Sequence, residues 1–235
     1  MRRFCDDYEI IVVDDGSSDT TAAEAKRAAA EARNIKVISC RTNGGKGQAI
    51  RLGFRCVSKE LVAFLDADLD IPAKQVECLL RAMSKSTADV VIQSKRHPDS
   101  VVNGFPLKRK LLSRAYSLLI KTLFRLPVGD TQVGIKMYHR DVLERIMPKL
   151  LVKRYAFDVE QLVLAHKYGF SIMESPVHID FNPSGDRMRM KDIFHIAQDT
   201  AAVFYRLNIL KYYDRDEDKY YQRDNLADVK VDHLT

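Results

Sequence analysis

Short apolar runs that end in polar groups recur along the first hundred residues. "IIVV" at 10–13 is continuous and β-branched, the composition of a strand buried on both faces of a parallel sheet. It runs into Asp14 and Asp15 and then the turn-forming "GSSD", where Asp19 or Thr20 is placed to cap an alanine-rich helix over 21–32. "IKVISC" at 35–40 predicts a second strand, and "NGGKG" at 43–47 a glycine-rich turn that opens a helix. "LVAFL" at 61–65 reads as a third buried strand, "KQVECLLRAMSKS" as a helix, and "ADVVIQSKR" as a strand ending in Lys95, Arg96 and His97. The order β-α-β-α-β-α-β predicts an α/β, Rossmann-like, mostly parallel sheet flanked by helices. Such sheets bind ligands outside the carboxyl ends of their strands.

The pattern changes after residue 100. Residues 107–126 predict one long cationic amphipathic helix. Lys110, Arg114, Lys121 and Arg125 return to one face, and Leu111, Ala115, Leu118 and Thr122 to another. Two readings follow: the helix lies in a membrane interface, or its leucines are core and its charges solvated. "LPVGDTQVGIKMYH" is a loop entering a short strand, "RDVLERIMPKL" and "FDVEQLVLAHKYG" are helical, and "SIMESPVHIDF" is extended. "NPSGDR" is a turn before a closing helix over 191–210. One domain over 1–210 and a highly charged tail over 211–235, mobile or docked on a partner, is the expected organisation.

Composition changes this picture little. The 235 residues are 46% hydrophobic and 30% charged, ordinary for a soluble domain, and the formal net charge of +6 suits anionic partners without selecting one. Four cysteines without a CxxC pair point to a reducing compartment. No apolar run approaches the ~20 residues of a spanning helix, and "MRRFCDDYE" is too polar for a signal peptide. Basic residues alternate with acids and no helix-turn-helix or stacking motif appears, which argues against nucleic-acid binding. The six histidines are scattered and support no nucleophilic triad.

The sharpest chemical feature is Asp66-Ala67-Asp68, followed by Asp70. Three carboxylates in five residues repel one another unless a cation neutralises them, and oxygen-only ligands suit Mg2+ or Mn2+ bridging to substrate phosphates. A solvated acidic loop is the alternative. "NGGKGQAIR" is not a phosphate loop of the Walker type, because Gln48 follows Gly47. Lys46 at a helix start still has two equal readings, a phosphate or ribose contact and a solvated lysine. Arg109 and Ser113, one turn apart, are placed to hold an anion together. Arg154 and Asp158 are read structurally, as an ion-pair partner and a helix start.

"IIVVDDGSSDTT", "NGGKGQAIRLG", "AFLDADLDIP", "GDTQVGIKMY" and "RYAFDVEQL" occur in the order and approximate spacing of family 2 glycosyltransferases of GT-A fold. Among these the chain most resembles the polyprenyl-phosphate sugar transferases, dolichyl-phosphate β-glucosyltransferases first and dolichyl-phosphate mannose synthases second. The resemblance implies that Asp15 contacts the uridine or ribose, and that Asp66 and Asp68 hold the metal with Asp70 completing its coordination. It implies an acceptor-phosphate site at Arg109 and Ser113, with Lys95 or Arg96 where the family has a Ser-Arg pair. Arg187 falls where a mobile acceptor loop carries its basic residue. The implied activity is inverting glucose transfer from UDP-glucose to dolichyl phosphate, at the cytosolic face of the endoplasmic reticulum and in peripheral contact with the membrane. GDP-mannose is the alternative donor. The resemblance also implies a strand and base-binding loop ahead of "DDGS". Met1 lies only a few residues before it, so a sheet lacking its first strand is expected, and a truncated, non-catalytic binding module is the other alternative.

Overall fold

The computed structural model describes residues 7–67, 71–154, 156–181, 190–215 and 229–232. The first half follows the hydrophobic pattern closely. Strand β1 (Ile10–Asp14) leads to helix α1 (Thr21–Glu31), β2 (Ile35–Cys40), α2 (Lys46–Phe54) and β3 (Leu61–Phe64). Then come α3 (Val76–Ser84), β4 (Val90–Ser94), β5 (Val101–Asn103) and α4 (Leu107–Phe124). The remainder is β6 (Lys136–His139), α5 (Arg140–Ile146), α6 (Phe157–Lys167), β7 (Ile172–Pro176), β8 (His178–Asp180), α7 (Met190–Phe204) and β9 (Val229–Asp232). Asp19 is the residue that starts α1: its Oδ1 accepts the Thr21 N–H at 3.0 Å, and the Thr20 side chain makes no capping bond.

The main sheet has the order β3-β6-β4-β7. β4 and β7 are parallel, and β6 runs antiparallel to both β3 and β4, so β3, β4 and β7 share one direction. Side chains alternate across it with the two-residue period of a strand. Val90 and Ile92 of β4 and Tyr138 of β6 face a core built with α4, α5 and α6. Val91 and Met137 face a second core against α3. This two-sided burial is the expected α/β layering.

β1 and β2 form a separate parallel pair, and among the described residues β1 has no ladder with β3. This corrects the expectation that 10–13 is buried on both faces. Ile10 is exposed, Ile11 to Val13 are half-buried, and only Asp14 is buried. Side chains instead tie the starts of β1 and β3: Glu9 Oε1 accepts the Ser58 N–H at 2.6 Å. β9, which lies within the charged tail, pairs antiparallel with β2. The extended stretch after 171 serves two sheets, since β8 leaves the main sheet to pair parallel with β5.

Candidate active site

The polar residues that follow the strands gather at the carboxyl ends of β1, β3 and β4. Asp15 accepts two backbone N–H groups, from Gly44 at 2.9 Å and Gly45 at 2.7 Å. It therefore fixes the turn that starts α2. The glycines of that turn are explained by close approach. Gly45 has φ +89, and a Cβ there would lie 2.5 Å from the Lys153 carbonyl oxygen. Gly47 donates its N–H to that same oxygen at 2.9 Å.

This turn aims Lys46 at two carboxylates. Its Nζ lies 2.9 Å from Asp66 Oδ1 and 3.2 Å from Asp158 Oδ2. Burial works against the charge on Lys46, but Asp158 and Asp66 outweigh it and hold its pKa above the usual lysine value. Asp158 is shared: its Oδ1 accepts from Lys136 Nζ at 2.7 Å, and Lys136 also donates to the Val133 carbonyl at 2.5 Å. Burial raises the Asp158 pKa, yet the two lysines overcome it and the carboxyl stays below its ordinary value. Lys136 is wholly buried, and burial pushes its pKa down. The chain Asp66–Lys46–Asp158–Lys136 thus alternates in sign across four elements.

Lys136 and Asp158 carry no expectation of chemistry in the sequence. A lysine inside the apolar frame "VGIKMY" is the signal that finds it, because a lysine at a strand start enters a core only with a partner. Asp158 does open α6, as expected, but it is one of that helix's buried residues and not a solvated cap.

Asp66 and Lys95 line one cleft of about 220 Å³ together with Phe105, Gln132, Gly134 and Phe181. Gly134 belongs there because a Cβ would fall on the Asp66 carboxylate. Lys95 is held by Asp130, whose Oδ2 lies 3.0 Å from its Nζ and accepts its backbone N–H at 3.2 Å. Glu174 Oε1 in turn accepts the Gly129 and Asp130 N–H groups, which fixes the loop that carries Asp130. Arg109 does not line the cleft but stacks its guanidinium on Phe181, which does, 5.1 Å from the ring centre.

Arg96 goes elsewhere. Its guanidinium donates to the Gly129 carbonyl and, at 2.7 Å, to the Ser113 carbonyl, so it ties the end of β4 to the backbone of α4. Ser113 meets Arg96 by that carbonyl, and its side chain is half-buried on the inward side of α4. Ala67 is exposed in the turn after Asp66. Asp68, Asp70 and Arg187 lie outside the described residues. Among the described residues no group of three acids, histidines or cysteines surrounds a cation position. Asp66 itself fits a hard cation: it is a half-exposed carboxylate opening into the cleft, suited to a metal that keeps most of its ligands from water and phosphate.

The family model for glycosyl transferase family 2 matches residues 2–147. The chain belongs to that family. A dolichyl-phosphate beta-glucosyltransferase of Dictyostelium discoideum is 33% identical over 178 residues, which cover 73% of this chain and 54% of that protein. Dolichyl-phosphate beta-glucosyltransferase ALG5A of Trichomonas vaginalis is 33% identical over 214 residues, covering 88% of this chain and 65% of its own length. Glycosyltransferase AglD of Haloferax volcanii is 29% identical over 87% of this chain, which spans only 32% of AglD. The chain thus spans between about a third and two thirds of these relatives. Among solved structures, glucosyl-3-phosphoglycerate synthase from Mycobacterium tuberculosis, in complex with Mn2+, UDP and glucosyl-3-phosphoglycerate, superposes with a TM-score of 0.64. The match covers 84% of this chain and 67% of that one at 18% identity, and it agrees with the expected GT-A fold.

Proposed function

We propose that this family 2 chain carries the site for transferring glucose from UDP-glucose to dolichyl phosphate with inversion at the sugar C1. The observation that supports it is one cleft lined by both Asp66, the donor-side acid, and Lys95, with Arg109 beside it. Such a transfer brings two anions together, a nucleotide diphosphate and a lipid phosphate. The names of the Dictyostelium and Trichomonas relatives support the acceptor, and the Mn2+ and UDP of the mycobacterial neighbour support the donor class.

In this reading Asp15 fixes the turn on which the nucleotide rests, and Lys46 is the cation nearest its phosphates. Mg2+ or Mn2+, held by Asp66 and Asp68 with Asp70 completing the set, supplies charge neutralisation of the diphosphate when bound. Lys95, Arg109, Ser113 and Arg187 orient the acceptor phosphate. Arg96, committed to two carbonyls, acts by positioning α4. No residue has to remove a proton, because a phosphate monoester is already an anionic nucleophile at neutral pH. Its oxygen forms the new bond to C1 as the bond from C1 to the diphosphate oxygen breaks, with the electron pair leaving on the nucleotide. Attack opposite an α-linked leaving group gives the β-linked lipid-phosphate sugar. The proposed location is the cytosolic face of the endoplasmic reticulum membrane, as a peripheral protein; among the described residues no helix is long and apolar enough to span a membrane.

The test is binding followed by transfer. Titration calorimetry with UDP and GDP, each with and without Mn2+, is expected to show metal-dependent binding of UDP, with transfer of labelled glucose to dolichyl phosphate. Binding of GDP in place of UDP moves the donor to GDP-mannose. Nucleotide binding without any transfer marks a binding module, and no binding of either nucleotide overturns the reading.

A further inference from the structure

Lys46 stands between two carboxylates that the fold treats differently. Asp158 is buried and has a second cation in Lys136, 2.7 Å away. Asp66 is half-exposed at the mouth of the cleft, and Lys46 Nζ covers its Oδ1 at 2.9 Å. The other oxygen of Asp66, Oδ2, packs against Gly134 so closely that an added Cβ would overlap it. Lys46 therefore sits on the very carboxylate that the proposed metal needs.

Only the side chain of Lys46 is free to leave. Its backbone is fixed from both sides, because Asp15 accepts the Gly44 and Gly45 N–H groups and Gly47 donates to the Lys153 carbonyl. The ammonium rides on a flexible four-carbon stem and makes a second contact, to Asp158 Oδ2 at 3.2 Å. Release from Asp66 thus strands no buried charge. The four described groups, Asp66, Lys46, Asp158 and Lys136, balance two negative charges with two positive ones. A divalent cation brought to Asp66 alone meets Lys46 at close range, in a site too sheltered for water to screen the repulsion well. A nucleoside diphosphate removes that conflict, because its oxygens offer Lys46 another anion.

We infer that Lys46 is the resident counter-ion of Asp66 and makes metal binding at that acid conditional on the nucleotide. Lys46 holds Asp66 while the cleft is empty and turns to the diphosphate when the nucleotide enters, which frees the carboxylate for Mg2+ or Mn2+. Metal and nucleotide then bind with positive coupling, each raising the affinity of the other by the same factor. The inference rests on the proposed donor site, with Asp66 as a metal ligand, but binding alone reads it out.

The experiment is calorimetric titration of the full chain with Mn2+, without nucleotide and at saturating UDP. The parent is expected to bind Mn2+ roughly tenfold or more tightly when UDP is present. Lys46→Met is expected to bind Mn2+ without nucleotide roughly tenfold more tightly than the parent and to gain little from UDP. Asp158 keeps Lys136 in that variant, so circular dichroism is expected to match the parent. Placed in an Asp66→Asn background, Lys46→Met is expected to lose its gain in Mn2+ affinity, because the two residues act as one pair. Equal Mn2+ affinity of the parent with and without UDP overturns the inference whether or not any variant folds. So does Mn2+ binding that Lys46→Met leaves unchanged or weakens, or a gain that persists beside Asp66→Asn. UDP that fails to bind at all overturns this inference and the donor reading together. Coupled binding without sugar transfer leaves the role of Lys46 standing and removes only the transferase reading.

Discussion

Helices α6 and α4 handle their polar and apolar residues in opposite ways. α6 buries nine consecutive residues, Phe157 to Ala165, two of them acids in its first turn. Both acids are fully engaged. Asp158 meets Lys136 and Lys46, and Glu160 accepts the Leu151 and Val152 N–H groups and the Tyr213 hydroxyl. α4 instead leaves five leucines exposed, Leu107, Leu111, Leu112, Leu118 and Leu119, and buries only two residues. An unsatisfied buried carboxylate is costly, so the acids of α6 fix how several segments meet. An exposed leucine costs the fold little, so the leucines of α4 contribute little to holding its core together. The contrast separates a helix that organises the site from one that presents a surface.

The largest effect expected from breaking this contrast lies at Asp158. Asp158→Asn leaves Lys136 buried beside a neutral amide, and loss of one partner from a buried pair costs about 3–5 kcal/mol. Urea denaturation at pH 7 measures it. The pH dependence sharpens the assignment. The folded pKa of Asp158 is held below the ordinary value of 3.8, so its contribution is present above that value and is lost as pH falls through the lower, folded one. The variant lacks that contribution, so its stability is expected to fall less steeply than that of the parent below about pH 4. An equal slope in the two proteins counts against the pair.

The alternation of apolar runs and polar ends was enough to place the strands and helices of the first half, because each strand of an α/β fold is continuous in sequence. Asp15, Asp66 and Lys95 were legible for the same reason, as polar residues just after strand ends, whereas Lys46, at a helix start, is neither solvated nor free but paired with Asp66 and Asp158. What was not legible is pairing across distance. Lys136 and Asp158 are 22 residues apart and gain meaning only when β6 brings one beneath the other. The role of Arg96 was hidden likewise, because its acceptors are backbone carbonyls, which no sequence distinguishes. β1 read as buried on both faces because its composition is that of an interior strand, whereas exposure depends on which neighbours it pairs with.

A smaller effect is expected where the organising region touches the cleft. Gly134→Ala places a methyl on the Asp66 carboxylate, which must rotate or shift. Gly134 has no left-handed backbone to lose, so the fold is expected to survive with its melting temperature nearly unchanged. In the proposed function Asp66 is a metal ligand, and disturbing the orientation of such a ligand lowers metal affinity by about 10–100-fold. Calorimetry with Mn2+ and UDP is expected to show a loss of that order. Unchanged binding places the metal and diphosphate away from Asp66.

The smallest effect is expected at Leu111→Ala, and its smallness is informative. A core leucine truncated to alanine costs roughly 2–5 kcal/mol, through lost burial and the cavity left behind. Leu111 is 71% exposed and leaves no cavity. Alanine also exceeds leucine slightly in helix propensity. The change in unfolding free energy is therefore expected to stay within about 0.5 kcal/mol, measured by urea denaturation beside Asp158→Asn. A loss in the core range would mean that the leucine face is covered by this chain itself, and the contrast between α4 and α6 would disappear.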